Sequence, residues 1–481
     1  MGVNPYRINM KLFFIICLLS CMLFSCTKGE ESGNNNNETP VKPKDKITLE
    51  LTKIDADAYC EPITIEFNAT SAWNIEVFSE GSDDWIIVEP ENGKAGNAKV
   101  SVTIAPNNWY PAREGSIVIY AGNAQKTVDI KQDNITAMLP LLESTYVSSD
   151  YSKDGKIYTM QQATEGNGID IVFMGDGFAD SRINDGSYHK TMMYAMEMIF
   201  AHEPYKSFRH LFNCYYVNVI SKYENFDNQE TALQTYFGEG TSMGGHTGII
   251  QQLAYNVVGE DKMDDTLIVV IANNSSRHGT CLWYNPEKQN DYGSGCAIAW
   301  NALEEIWLTI PHECGGHGFG KLYDEYVTYD ETIPYNLQPL VNSAKYKSWG
   351  WNKNIDFTND PNTVKWSHFL TDSRYKLEVG IYEGACYYRY GAYRPSYESM
   401  MSNNVVAPYF NAPSREAIYY RIHKLAYGEE WEYDYEKFVE YDAINRGSTQ
   451  TRSQPTDYVT KQERHAAHII VSKTWREAMT E

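Results

Sequence analysis

The sequence predicts a multidomain chain in which an N-terminal β-sandwich precedes a larger α/β (α+β) domain. Three observations predict it. Residues 47–134 alternate apolar and polar residues in short runs divided by turn signals, which is the period of half-buried strands. From residue 139 onward, β-branched apolar runs alternate with stretches of helical periodicity. Within this second part, the string His312-Glu313-Cys314-Gly315-Gly316-His317 gathers metal-binding residue types into six positions.

Composition supports two or more cores. At 481 residues, 42% hydrophobic and 22% charged, the chain is long enough for two or three globular domains. The net charge of -22, from 63 acidic and 41 basic residues, excludes nucleic acid and bare anionic membrane as partners, since both are polyanions.

Residues 1–25 read as a signal peptide: Lys11 precedes the apolar run Leu12–Phe24, which is too short to span a bilayer. The run closes in Leu23-Phe24-Ser25-Cys26, which resembles a bacterial lipobox. That resemblance implies lipidation at Cys26 and an outer-membrane lipoprotein of the bacterial cell envelope, exposed at the surface, touching the membrane only through its lipid. Residues 26–46 are rich in Gly, Ser, Asn, Pro and charge and cannot bury a core, so they form a flexible tether.

In residues 47–134 the strand runs are Ile47–Leu51, Ile63–Phe67, Trp73–Phe78, Trp85–Val88, Val100–Ile104, Ser116–Tyr120 and Lys126–Ile130, with turns at Glu91-Asn92-Gly93 and Ala121-Gly122-Asn123. Trp85-Ile86-Ile87-Val88 followed by Gly93, Gly96, Asn107, Arg113, Gly115 and Gln132 resembles the BACON domain, a small immunoglobulin-like module. The resemblance implies glycan or mucin contact, or a spacer.

The domain of residues 139–481 opens on the run Gly168–Phe173, which ends in the tight turn Met174-Gly175-Asp176-Gly177-Phe178. No lysine follows in the position a phosphate loop needs. A helix is expected over Tyr188–His202, a strand over Cys214–Ile220, a helix over Thr247–Val258 and a strand over Thr266–Ala272. Cys281 and Cys296 bracket the next segment, and in an exported protein the pair could close a disulfide. Pro311 is best tolerated in a first helical turn, so a helix either starts near Thr309 or kinks there. Further helices are expected over Arg415–Tyr427 and Gln462–Met479, with a polar loop over Asn445–Thr460 between them.

The string at 312–317 departs from His-Glu-x-x-His by one residue, because His312 and His317 are five steps apart. On a regular helix the extra residue adds about 100° and carries the second imidazole off the first one's face. A π-bulge absorbs such an insertion, and Gly315 and Gly316 sit where the chain must yield. Glu313 supplies a carboxylate for a water, and Asp324 and Glu325 offer oxygen ligands after the glycine turn at Gly318 and Gly320.

The longer string, continuing to Leu322, Asp324, Glu325 and Tyr326, resembles the zinc signature of the IgA peptidase-type metallopeptidases, a metzincin-like family. The Gly-Asp-Gly turn at 175–177 and the block Ser399-Met400-Met401 are also similar to that family. The inserted residue departs from its commoner form, although His-Glu-x-x-Gly-His also resembles the helix of dipeptidyl peptidase III.

The resemblance implies Zn2+ held by His312, His317 and Asp324, with Glu325 as runner-up for the third ligand and Tyr323 at the position a usual metzincin would use. It implies Glu313 as catalytic base, Met400 packed beneath the ligands, an edge strand over Ile271–Ser276 that pairs with substrate, and Tyr326 or Tyr397 as an oxyanion donor or support. The reaction would be peptide-bond hydrolysis in proteins or glycoproteins. Two readings stay open beside it: a glycan- or mucin-binding surface lipoprotein with an inactive peptidase-like domain, and an exopeptidase whose third ligand is Glu378 or Glu383.

Overall fold

The computed structural model describes residues 45–58, 60, 62–79, 85–105, 107, 112–133, 145–227, 230–446 and 467–480. The expected signal peptide, Cys26 and nearly all of the tether lie outside the described residues. Among the described residues no helix is long and apolar enough to cross a membrane.

The alternating runs of the N-terminal part build two sheets over one core. One is four-stranded, in the order Ile47–Thr48, Ile63–Ala69, Gly96–Ile104, Ile86–Glu89; the other is five-stranded, in the order Lys53–Ala56, Ala124–Gln132, Arg113–Ala121, Trp73–Ser79, Asn92–Gly93. The inward residues of both, among them Ile65, Trp73, Val100, Ile117 and Val128, form a single cluster. Two short strands were not expected. Lys53–Ala56 pairs parallel with Ala124–Gln132, and the expected turn at Asn92–Gly93 instead pairs with Trp73 and Asn74. Both are too short for periodicity to reveal them. The residues that carried the BACON resemblance stabilise this fold from within: Arg113 lies over the Trp85 ring at 4.3 Å and donates from Nε to Gln132 Oε1 at 2.8 Å.

The second part is organised on a seven-stranded sheet. Its order is Ile157–Gln161, Phe212–Val217, Ile169–Asp176, Leu267–Ala272, Ala297–Ala302, Gly279–Asn285, Ile469–Thr474. The four strands from Phe212–Val217 to Ala297–Ala302 run parallel, and Gly279–Asn285 runs antiparallel to Ala297–Ala302. Every residue of Leu267–Ala272 is buried, as a central parallel strand covered on both faces requires.

That centrality corrects one expectation. Of the edge expected over Ile271–Ser276, Ile271 and Ala272 belong to Leu267–Ala272 and are paired on both sides, so they cannot present an edge to a substrate. The antiparallel strand is Gly279–Asn285, and its outer side takes Ile469–Thr474 in parallel register. The expected helix over Gln462–Met479 is likewise corrected for the residues described: Ile469–Thr474 is a strand, and only Trp475–Met479 is helical. The β-branched trio Ile469-Ile470-Val471 suits a pleated surface better than a helix.

The disulfide expectation also fails. Cys281 and Cys296 are free. Cys281 is opposite Ala299 in the sheet and belongs to one core cluster, while Cys296 belongs to the cluster on the other side. Side chains on opposite faces of a sheet cannot be bridged.

The Gly-Asp-Gly turn has a structural task. Asp176 is fully buried at the end of its strand and accepts from Thr231 Oγ1 at 2.7 Å, Ser221 Oγ at 2.9 Å, and the backbone N–H groups of Thr235 and Leu233 at 3.0 and 3.1 Å. The helices Ser187–Phe200 and Thr247–Val258 form as their periodicity predicts. Near the C-terminus, Ala412–Tyr427 is joined to the unexpected helix Tyr435–Asn445 by a buried pair, Arg415 Nε to Asp442 Oδ1 at 2.6 Å.

Candidate metal centre

The α-helix Ile306–Ile310 passes directly into a nine-residue π-helix, Pro311–Phe319. Pro311 marks the change, because it has no N–H to continue the i→i−4 ladder. The insertion is therefore absorbed by a whole π segment, wider than the single bulge expected from the spacing. Gly320 N donates to Gly315 O at 2.9 Å, five residues back, and Tyr205 Oη donates to the same carbonyl at 2.6 Å. Gly316 is needed for space: a Cβ there would lie 2.2 Å from Met401 Sδ.

In this wider helix residues five apart share a face. The rings of His312 and His317 meet edge to face at 4.8 Å between centroids. His312 Nδ1 donates to Met400 O at 2.9 Å and His317 Nδ1 to Leu322 O at 2.7 Å, since a carbonyl can only accept. Both Nε2 atoms then point at one carboxylate oxygen, Asp324 Oδ1, at 3.2 Å from each. The backbone carbonyls hold both imidazoles in the tautomer that frees Nε2 for a metal. Ligand atoms of His312, His317 and Asp324 lie within 4.8 Å of one another, and all three residues are buried. Two imidazole nitrogens and one carboxylate oxygen make a donor set that fits Zn2+ with a further position open.

Glu325, the runner-up, faces elsewhere. Its oxygens accept from Ser399 Oγ at 2.6 Å, Asn354 Nδ2 at 2.7 Å and Asn411 Nδ2 at 3.0 Å, so it ties the motif to the methionine block and the helix Ala412–Tyr427. Tyr323 packs its ring edge-on against His468 at 4.4 Å. Glu378 is paired with Arg415 at 2.9 Å, and Glu383 accepts from Gly391 N at 3.0 Å; neither belongs to the cluster of His312, His317 and Asp324.

Glu313 is 2% exposed, and among the described residues its Oε2 has no hydrogen-bond partner. A Cβ on Gly279 would lie 2.9 Å from Glu313 Cγ, so the start of the antiparallel strand walls the carboxylate in. Burial pushes its pKa up, while His312 and His317 pull it down. Burial opposes charge on His312, yet the Asp324 hydrogen bond and the Glu313 charge raise it to about 9. Asp324 is buried too, and His317 and His312 outweigh that burial to hold it well below the usual carboxylate range.

Tyr326 is 6% exposed and packs on the Tyr387 ring at 5.2 Å, close enough to Asp324 and Glu313 for their charges to raise its pKa, after burial itself. Tyr397 packs instead on Tyr382 at 6.0 Å and beneath Arg394. The tyrosine that reaches the site is Tyr387, whose hydroxyl donates to Asp324 Oδ2. Met400 is buried and supports His312 through its carbonyl, while the Met401 side chain packs at Gly316.

With this geometry in place, comparison with known proteins gives two matches. Residues 73–133 match the family model BACON, an N-terminal domain, and residues 158–375 match the model of the IgA Peptidase M64 family. The chain joins a BACON domain to an M64 peptidase domain. This is the order the sequence predicts, and the M64 match implies peptidase activity. No curated protein matches.

Among solved structures, domains 4 and 5 of the S-layer protein SbsC align at 14% identity over 18% of this chain and 51% of that one, with a TM-score of 0.15. A Bacteroides ovatus GH5 xyloglucanase aligns at 14% identity over 48% and 46%, with a TM-score of 0.19. A protein from Bacteroides thetaiotaomicron aligns at 18% identity over 21% and 96%, with a TM-score of 0.15. The chain thus spans about half the length of the first two, and scores this low carry no argument.

The M64 match ends before Tyr387, Met400 and His468. Tyr387 and His468 escaped sequence reasoning: the chain has 37 tyrosines, and the stretch around residue 468 reads as helix. One signal in the structure singles Tyr387 out. It and Cys386 both have positive φ, 71° and 54°, a costly backbone for side-chain-bearing residues that often marks a functional position.

Lys321, within the stretch matched to the M64 family, is fully buried, and among the described residues its Nζ has no hydrogen-bond partner. Burial, aided by Arg421, pushes it from 10.5 down to about 7. Its folded pKa is depressed, so the charged form is penalised: the cost is full below about 7 and gone above 10.5. Lys321→Met is expected to raise the melting temperature, with a margin over the parent that is largest at acidic pH and fades as pH rises through that window. Thermal unfolding at several pH values checks it.

Proposed function

We propose that this protein is a zinc metalloendopeptidase of the bacterial cell envelope, anchored through a lipid on Cys26 and acting on proteins or glycoproteins. The observation that carries the proposal is the convergence of His312 Nε2 and His317 Nε2 on Asp324 Oδ1, 3.2 Å from each, beside the buried and half-unpartnered carboxylate of Glu313.

Zn2+ held by His312, His317 and Asp324 would supply the Lewis acid that acidifies a water and polarises a peptide carbonyl. Glu313 takes the proton of the attacking water on its carboxylate and passes it to the leaving amine. Burial suits Glu313 to this task, because it raises the proton affinity of the carboxylate. Tyr387 fixes the ligand by donating to Asp324 Oδ2, and Tyr326, packed on the Tyr387 ring, is the candidate donor to a developing oxyanion.

In this reading the catalytic domain is metzincin-like, the BACON region is an immunoglobulin-like sandwich that serves as a spacer or contacts glycan, and residues 26–46 give the enzyme reach above the membrane. The purified protein is expected to contain stoichiometric zinc by elemental analysis, to hydrolyse an unfolded protein, to lose that activity to a chelator and to regain it with Zn2+. Undiminished hydrolysis after the metal is stripped would refute the proposal.

A further inference from the structure

We propose that His468 is a positioning residue for the metal centre, setting Asp324 and His317 from the C-terminal strand. The inference rests on the reading of His312, His317 and Asp324 as metal ligands.

Strand pairing fixes where His468 stands. Ile469 is opposite Leu282 and Ile470 opposite Trp283, so the residue just before the strand is carried to the end of Gly279–Asn285 that borders the π-helix. There the His468 ring packs on Trp283 at 4.2 Å and on His317 at 4.6 Å between centroids. Tyr323 closes the remaining side at 4.4 Å. Three aromatic neighbours hold the ring in one orientation.

In that orientation Nδ1 lies 3.5 Å from Asp324 Oδ2, the oxygen that does not face His312 and His317. The His468 side chain is 1% exposed, and among the described residues neither ring nitrogen has a hydrogen-bond partner. Burying two unmet polar atoms is expensive, and a Phe would fill the same aromatic niche without that cost. The polarity of the ring therefore has a use, and the group within reach is the outer oxygen of Asp324, already bound by the Tyr387 hydroxyl. Tyr387 and His468 flank that oxygen and set the direction of the other. Groups that orient a ligating residue in this way govern metal affinity without touching the metal.

The test uses the full chain as wild type, His468→Phe, His468→Asn and Asp324→Ala. Zinc affinity is measured by chelator competition, and ligand geometry by the visible absorption of the Co2+-loaded protein. His468→Phe is expected to weaken zinc binding by roughly 10- to 100-fold and to shift the Co2+ bands. His468→Asn, whose amide nitrogen can stand where Nδ1 stands, should recover most of both.

Unchanged affinity and spectrum in His468→Phe, or an Asn variant no better than Phe, would overturn the inference. Should His468→Phe fail to fold, His468→Asn against His468→Gln decides, since Gln places its donor at the Nε2 position; equal affinities overturn it. If Asp324→Ala loses zinc while His468→Phe does not, only the positioning role fails. If Asp324→Ala binds zinc normally, the ligand assignment itself fails, and this inference with it.

Discussion

Glu313→Gln is expected to lower kcat by roughly 10²- to 10⁴-fold while zinc stays bound and KM changes little. The substitution is isosteric and removes only the basic oxygen. Glu313 is 2% exposed with Oε2 unpartnered, so the amide meets no new clash and breaks no existing bond at that atom. The metal-binding atoms belong to His312, His317 and Asp324, whose contacts with Met400, Leu322 and Tyr387 the substitution leaves in place. Initial rates on a peptide substrate, together with zinc content, check the expectation. Full activity in this variant would remove Glu313 from the proposed reaction.

Asp324→Ala should abolish activity by a different route, through the loss of zinc. Asp324 Oδ1 lies 3.2 Å from both histidine nitrogens, so its removal leaves two of the three ligands. The fall in zinc affinity should exceed the roughly 100-fold that loss of an outer-shell partner costs. The same truncation leaves the half-buried Tyr387 hydroxyl without its Asp324 acceptor, so stability falls as well, by about 1 kcal/mol. Glu383→Ala is the control: its carboxylate bonds Gly391 N in a hairpin, and zinc binding should be untouched. Chelator competition on the variants separates the two, and a zinc-replete Asp324→Ala protein would exclude Asp324 as a ligand.

The two halves of the site differ in how far they were legible beforehand. The spacing of His312 and His317 demanded a local departure from the α-helix, and the structure has one, though it spans Pro311–Phe319 rather than a single turn. Spacing could not show that Tyr205 and Met401 brace the segment, because both come from distant parts of the chain. The choice between Asp324 and its neighbour Glu325 was open on sequence; the structure turns Glu325 toward Ser399, Asn354 and Asn411 and Asp324 toward the histidines. Adjacent residues beyond a helix point in different directions, and only the surrounding donors decide which carboxylate goes where.

The strand and cysteine expectations went wrong for a related reason. Leu267–Ala272 is apolar enough for a strand, yet apolarity does not say whether a strand is central or at an edge. Cys281 and Cys296 have a reasonable separation in sequence, but the sheet sends them to opposite faces.

What the sequence determined by itself is therefore whatever rests on neighbours along the chain. This includes the alternation that builds two sheets over residues 47–132, the apolar strand Leu267–Ala272, and the placing of His312, Glu313 and His317 on one helical segment. Tertiary structure alone decided what depends on groups far apart in the chain: the orientation of Asp324, the arrival of Tyr387 and His468 beside it, and the exclusion of Glu325, Glu378 and Glu383. The physical reason is that backbone periodicity is set by local hydrogen bonding, whereas a metal site needs side chains converging to within a few ångströms, and only the packed core fixes that convergence.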